Sequence, residues 1–300
     1  MKKSSPLLLV YIKLLLTALF WGGTFIAGRI LAQGVRPFSA AFLRFAIAAI
    51  FLLLILWKTD EPFALPQRRQ ILPILLLGMT GIFLYNLFFF SGLKLIEAGR
   101  ASVIIANNPI FIALLSAYFF KEDLTPLKMS GILMSVFGAV IVITRGHVLA
   151  IFQESIGVGE LYIFGCVISW VSYSLIGKAL MKNLSPLLSV TYSVITGATL
   201  LFPAAVLEGL LKDMQAYSWP QWVSLFYMGF FGTVLGCIFF YEGISKIGPM
   251  KAGLFINFVP ISAVVLAFFI LGEPITPSLL IGLLFVSTGV YLTNRKTSAQ

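Results

Sequence analysis

The sequence predicts an all-α polytopic membrane protein: ten transmembrane helices arranged as two inverted five-helix repeats. Three observations lead there. Of 300 residues, 59% are hydrophobic and 11% charged, with a mean hydropathy of +1.01, whereas a soluble domain carries about 25% charged residues. Apolar runs long enough to cross a bilayer follow one another along the whole chain. The second half repeats the first at a nearly constant offset.

A helix needs roughly 20 apolar residues to traverse the hydrocarbon core. Runs bounded by charge, Gly or Pro lie near 8–31, 38–57, 71–93, 101–120, 127–144, 159–181, 187–210, 221–243, 252–271 and 277–293. A β-barrel would show alternating segments of about ten residues, but Ile71–Leu77 and Ala263–Leu271 are apolar on every side. Lys2 and Lys3 ahead of the first run resemble the start of a signal peptide. That run is too long for a signal core, and a similar block recurs deep inside the chain, so the first run is expected to stay as a span.

A shift of 149 places Trp21 on Trp170, Gly28 on Gly177, Arg29 on Lys178 and Pro37 on Pro186. A shift of 151 then places Gly78 on Gly229, Gly81 on Gly232, Gly92 on Gly243, Pro109 on Pro260, Glu122 on Glu273, Gly131 on Gly282 and Gly138 on Gly289. Two repeats follow, 1–150 and 151–300. Five spans is an odd number, so the second copy enters the membrane upside down, which is the architecture of secondary transporters.

Fourteen Lys and Arg residues fall on the side of the N-terminus and seven on the other. The positive-inside rule then puts both termini in the cytoplasm, and the chain in the cytoplasmic (inner) membrane. The net charge of +10 punctuates the ends of apolar runs instead of gathering on one face, which argues against a nucleic-acid partner. Cys166 and Cys237 sit in apolar stretches without metal-ligand spacing, and His147 is alone in a polar linker. No metal and no cofactor is expected. The partners expected are the lipid bilayer and a small-molecule substrate, with room for a homodimer.

Polar and bulky residues inside spans need a reason. Asn107, Asn108 and Pro109 interrupt the fourth run, and Asn257 with Pro260 does so at the matching place in the ninth. Paired breaks are the best sequence pointer to a transporter's binding site; the plainer reading is a kink with amides bridging helices. Trp21 and Trp170 lie well inside their runs, followed by Gly22, Gly23, Thr24 and by Ser172, Tyr173, Ser174. Aromatic rings beside small hydroxylated residues suit a cavity wall, and ordinary core packing is the alternative. Tyr85, Asn86 and Tyr241 extend the set.

Arg44, several residues into the second run, is open to pairing with a backbone carbonyl or to snorkelling. Glu242 precedes Lys246 by four residues and is expected to pair with it at the interface, a proton-coupling carboxylate being the alternative. Thr125-Pro126 and Thr276-Pro277 read as helix starts, with Glu122 and Glu273 as punctuation before them. The glycines at 131, 138, 282 and 289 predict close packing of the fifth and tenth helices.

The chain resembles the drug/metabolite transporter superfamily, and within it the EamA-type bacterial permeases. The likeness rests on Phe20-Trp21-Gly22 with Phe25, Arg44-Phe45, Ala98 to Pro109, Phe120-Lys121-Glu122 before Thr125-Pro126, and Leu271-Gly272-Glu273 before Thr276-Pro277. The resemblance implies a substrate cavity between helices 1, 3, 4, 6, 8 and 9. Trp21, Thr24, Tyr85, Asn107, Trp170, Tyr173, Tyr241 and Asn257 would then face it. It also implies movement of small organic metabolites, amino acids or related compounds, commonly outward.

The expected function is therefore secondary transport by alternating access, with export as the direction. Proton-coupled drug or cation efflux is the rival within the same architecture, and the absence of a mid-depth carboxylate in the first and sixth runs weighs against it. A membrane-embedded enzyme would need paired Asp, clustered His or an activated Ser, and a scaffold would have no use for aromatics and amides in paired breaks. The expectation is that the protein is not an enzyme.

Overall fold

A computed structural model describes residues 6–59, 66–108, 110–111, 115, 125–144, 146–147, 157–180, 184–247, 255–256 and 258–294. Among these residues there is helix and connecting loop but no strand. The helices are α1 (Pro6–Ala32), α2 (Pro37–Lys58), α3 (Arg68–Leu95), α4 (Ala98–Ile105), α5 (Pro126–Ile143), α6 (Val158–Leu180) and α7 (Pro186–Glu208). There follow α8, made of Trp219–Tyr227, Met228–Leu235 and Gly236–Ile247, then α9, made of Phe258–Leu266 and Ala267–Leu271, and α10 (Pro277–Asn294).

Six of them, α1, α2, α3, α6, α7 and α8, are long and apolar enough to cross a membrane, while α5, α9 and α10 are shorter apolar helices. The burial pattern is that of a chain solvated by lipid. Trp57, Leu207 and Phe269 are 82%, 88% and 77% exposed, whereas Ser39, Asn86, Ser102, Ser135 and Thr191 are buried. Water would reverse that distribution. Serine and threonine hydroxyls inside the helices donate to carbonyls three or four residues back, as Thr17 does to Lys13 O at 3.0 Å and Ser193 to Val190 O at 2.9 Å. Each such bond satisfies a polar group where water cannot.

Local chemistry sets the helix starts. Thr125 and Thr276 cap α5 and α10 by accepting from Lys128 N at 3.4 Å and Leu279 N at 3.2 Å, as the Thr-Pro pairs predict. Ser185 does the same for α7 at 3.1 Å. Two carboxylates do more than punctuate. Glu273 accepts from Ala98 N and Gly99 N at 3.0 and 3.1 Å and so caps α4 from across the bundle. Glu208 accepts from Ser39 N at 3.0 Å at the start of α2. Negative charge at a helix N-terminus meets unsatisfied amides and the positive end of the dipole. Gly272, with φ +67°, makes the left-handed turn that ends α9 and delivers Glu273.

The packing follows a cross-over scheme. α1 lies against α8 and α9, α6 against α3 and α4, α2 against α7, and α5 against α10. Small residues sit where backbones approach. A Cβ on Gly138 would lie 2.7 Å from Gly282 O, and one on Gly289 would meet Gly131 O and come within 2.6 Å of Ser135 N, the α5–α10 seam that the four glycines predict. A Cβ on Gly92 would come 2.6 Å from the Ile163 side chain, and one on Gly243 2.5 Å from that of Leu14. Leu14 and Ile163 are 149 apart in sequence, and Gly92 and Gly243 are 151 apart. Likewise Gly78 packs on Thr196 while Gly229 packs on Ile47, and Gly81 packs on Tyr173 while Gly232 packs on Thr24.

Three stretches widen to the π form: Gly78–Leu84 in α3, Met228–Leu235 in α8 and Ala267–Leu271 in α9. The first two occupy corresponding places along the two halves of the chain. A π segment breaks the regular hydrogen-bond ladder and is often found where a helix serves a site.

Candidate functional site

The expected aromatic residues meet at the middle of the bundle. Trp21 on α1 and Trp170 on α6 contact each other edge to face, with ring centroids 6.2 Å apart and planes at 80°. Tyr85 on α3 and Tyr173 on α6 flank Trp170 at 5.5 and 5.4 Å, and Phe240 on α8 lies 5.2 Å from Trp21. Tyr241 lies near Tyr173, whose hydroxyl is 3.3 Å from Ser193 Oγ on α7. Trp21, Tyr85, Trp170, Tyr173 and Tyr241 are all only half-buried.

The π segment of α8 anchors two members through consecutive residues. Trp21 donates its indole N–H to Gly232 O at 2.8 Å, and Arg44 on α2 donates from Nε to Thr233 Oγ1 at 3.2 Å. Thr233 in turn donates to Met228 O at 3.0 Å, five residues back. Gly232 is small because the Thr24 methyl lies against it. Buried Thr24 donates its hydroxyl to Trp21 O at 2.6 Å, so its polar atom is used within α1.

Among the described residues Arg44 bonds side chains and no backbone carbonyl. Its Nη1 donates to Asn86 Oδ1 at 2.9 Å, its guanidinium lies 4.9 Å over the Phe45 ring, and Tyr85 and Cys237 are within electrostatic range. Asn86 is buried and donates from Nδ2 to Ile82 O at 2.8 Å inside the π segment of α3. Reading the residues one at a time missed Thr233, Ser193, Cys237 and Phe240. The signal for Arg44 was present in the chain as a cation well inside an apolar run.

The break in α4 is present, and the Asn107 amide is bonded within α4 and to α5. The helix ends at Ile105, and the chain continues with Asn107 N bonded to Ile104 O and Ile110 N to Asn107 O, three residues back in each case. Asn107 donates from Nδ2 to Val103 O and Ile104 O, both at 3.1 Å, and accepts from Ser135 Oγ on α5 at 2.8 Å. It therefore closes the α4–α5 seam and is not part of the aromatic group. Asn108 is buried, and its Oδ1 has no hydrogen-bond partner among the described residues. Asn257 and Pro109 lie outside the described residues.

Glu242 does not pair with Lys246. It binds Lys13 on α1 at 2.6 Å, because α1 and α8 run side by side and bring the longer-range partner closer. At the start of α4, Arg100 forms an ion pair with Glu160 on α6 at 2.6 Å. Arg29 donates to Leu93 O and Ile96 O and closes the C-terminal end of α3. Among the described residues no group of three His, Cys, Asp or Glu is placed to hold a metal ion.

Known proteins are similar to this chain along nearly its whole length. A protein of Bacillus subtilis named uncharacterized transporter YyaM is 32% identical over 281 residues, covering 94% of this chain and 92% of its own. A probable terminal-alkyne amino-acid exporter of Streptantibioticus cattleyicolor is 27% identical and covers 95% of this chain and 93% of its own. One solved crystal structure superimposes with a TM-score of 0.66 at 19% identity, covering 95% of this chain and 96% of that one, a likeness of fold. The family model of EamA-like transporters matches twice, over residues 8–144 and 157–295. With its apolar helices and its central aromatic group, the chain is a multi-pass membrane protein that belongs to the EamA-like transporter family.

Proposed function

We propose that the protein is a secondary transporter which exports small organic metabolites, amino acids or related compounds, across the cytoplasmic membrane by alternating access. Ten spans form two inverted five-helix halves, 1–150 and 151–300, with both termini in the cytoplasm. The observation that carries this reading is the meeting of Trp21 and Trp170, equivalent residues of the two halves, at 6.2 Å. The glycine contacts give further support. Leu14 on Gly243 answers Ile163 on Gly92, and Thr24 on Gly232 answers Tyr173 on Gly81, as a twofold axis in the membrane plane requires. Rocking of one half against the other about such an axis exposes a fixed central site to each side in turn.

Trp21, Thr24, Tyr85, Asn86, Trp170, Tyr173 and Tyr241 line that site, with aromatic faces and hydroxyls as its chemistry. A relative named as a probable amino-acid exporter supports the substrate class. Efflux from loaded proteoliposomes tests the reading. Trp21→Ala and Trp170→Ala are expected to abolish flux of a transported amino acid while the purified variants stay folded and monodisperse. Flux at the wild-type rate in both variants removes the pair from the site.

A further inference from the structure

We propose that Arg44 is the anchor for a carboxylate on the transported molecule, so that the substrate is an organic acid or zwitterion and not a simple amine. The inference rests on the transporter reading above and names the substrate's charged group.

A guanidinium inside the bundle is costly unless something compensates its charge. The ion pairs formed by the described residues lie elsewhere, at Lys13–Glu242, Arg36–Asp213 and Arg100–Glu160. Among the described residues Arg44 has only neutral oxygens, those of Asn86 and Thr233, and the face of Phe45. These fix its plane through Nε and Nη1, and among the described residues Nη2 makes no hydrogen bond. A fork held on one side and open on the other is pre-organised for a planar, singly charged oxyanion. A phosphate dianion would call for a second cation, and none of the described residues brings one to Arg44.

The position matches the rest of the site. The two residues that hold Arg44 are chain neighbours of residues that hold the tryptophans: Asn86 follows Tyr85, which packs on Trp170, and Thr233 follows Gly232, which receives Trp21. A carboxylate on Arg44 therefore places the remainder of a small molecule against the aromatic rings. The site is also polarised. The residues equivalent to Arg44 and Asn86 in the second half are Ser193 and Cys237, so the charge comes from one half only and the other half offers the Tyr173–Ser193 hydroxyl pair. The site thus carries a cation from one half and neutral hydroxyls from the other.

The test compares acids with their decarboxylated amines. Proteoliposomes carrying wild type, Arg44→Gln, Arg44→Lys or Trp21→Ala are loaded with L-leucine and L-phenylalanine, or with 3-methylbutylamine and 2-phenylethylamine. Wild type is expected to move an amino acid at least about tenfold faster than its amine. Arg44→Gln is expected to lose that preference and most of the amino-acid flux. Arg44→Lys keeps the charge without the fork and is expected to retain the preference at reduced rate, which also covers a failure of the Gln variant to fold. Equal movement of acid and amine by wild type overturns the anchor, as does amino-acid flux by Arg44→Gln at the wild-type rate. If Trp21→Ala abolishes flux while Arg44→Gln leaves it intact, the anchor falls and the central site stands.

Discussion

Trp21 and Trp170 touch edge to face, yet only one of the two indoles is bonded to the backbone of a neighbouring helix. Trp21 Nε1 donates to Gly232 O at 2.8 Å; among the described residues the Trp170 indole makes ring contacts only, to Trp21, Tyr85 and Tyr173. An edge-to-face contact contributes about 0.5–1.5 kcal/mol beyond area burial, and phenylalanine retains much of it. The indole hydrogen bond is lost outright, at about 1 kcal/mol, and the Gly232 carbonyl loses its donor. Trp21→Phe is therefore expected to lower the thermal midpoint more than Trp170→Phe. Equal shifts in a detergent melt would mean that the Gly232 bond contributes nothing.

The paired glycines provide a test of symmetry that does not depend on transport. Gly92 faces Ile163 and Gly243 faces Leu14 at nearly the same spacing, 2.6 and 2.5 Å from an added Cβ. Overpacking such a contact costs about 1–3 kcal/mol. Gly92→Val and Gly243→Val are expected to destabilise by similar amounts, whereas Gly99→Ala, whose added Cβ would have its nearest neighbour at 3.5 Å, is expected to be tolerated. Thermal midpoints of the three variants check this. A large penalty on one side alone would show that the two α–α contacts are not equivalent.

Much of the fold could be read in the chain because its signals are local. Apolar runs mark the helices, Thr125-Pro126 and Thr276-Pro277 mark two starts, and the glycines at 131, 138, 282 and 289 mark one seam. The aromatic group was legible through the repeat, since an inward residue in one half implies an inward residue in the other. What was missed is decided by partners far away in sequence. Arg44 is held by residues 42 and 189 positions distant, and Glu242 prefers Lys13, 229 positions distant, to the Lys246 one turn on. The π segments left only small residues as a trace, Gly78, Gly81, Gly229 and Gly232, and small residues equally signal close packing. Asn107 is open in the sequence to two readings, a binding-site amide or an amide bridging helices, and only a partner 28 positions away, Ser135, shows the bridge.

Asn107 then has a role that can be separated from transport. Its Oδ1 accepts from Ser135 Oγ at 2.8 Å, and both side chains are buried. Interhelical bonds of this kind contribute about 0.6–2 kcal/mol in membrane proteins. Ser135→Ala is expected to lower the thermal midpoint slightly and leave flux unchanged. Asn107→Leu is expected to cost more, because it also frees the Val103 and Ile104 carbonyls from Nδ2. A loss of flux in Ser135→Ala without a loss of stability would bring the α4–α5 seam into the site.

Arg100 and Glu160 form the most buried of the ion pairs, at 2.6 Å with side chains 12% and 6% exposed. They tie the start of α4 to the start of α6, beside the amides that Glu273 caps. A pair so little hydrated recovers its desolvation only while both members are present. Removing one leaves a buried charge and is expected to cost about 3–5 kcal/mol, whereas replacing both by apolar residues of similar volume is expected to be near neutral. Glu160→Gln should therefore express poorly or melt early, and Arg100→Met with Glu160→Leu should recover most of the loss. If the double variant is stable but no longer moves substrate, the pair belongs to the transport cycle, opening and closing with the two halves. If it is stable and active, the pair only sets the order of the helices. A double variant no more stable than Glu160→Gln would refute the desolvation argument itself, since the charge left behind could not then be the cause of the loss.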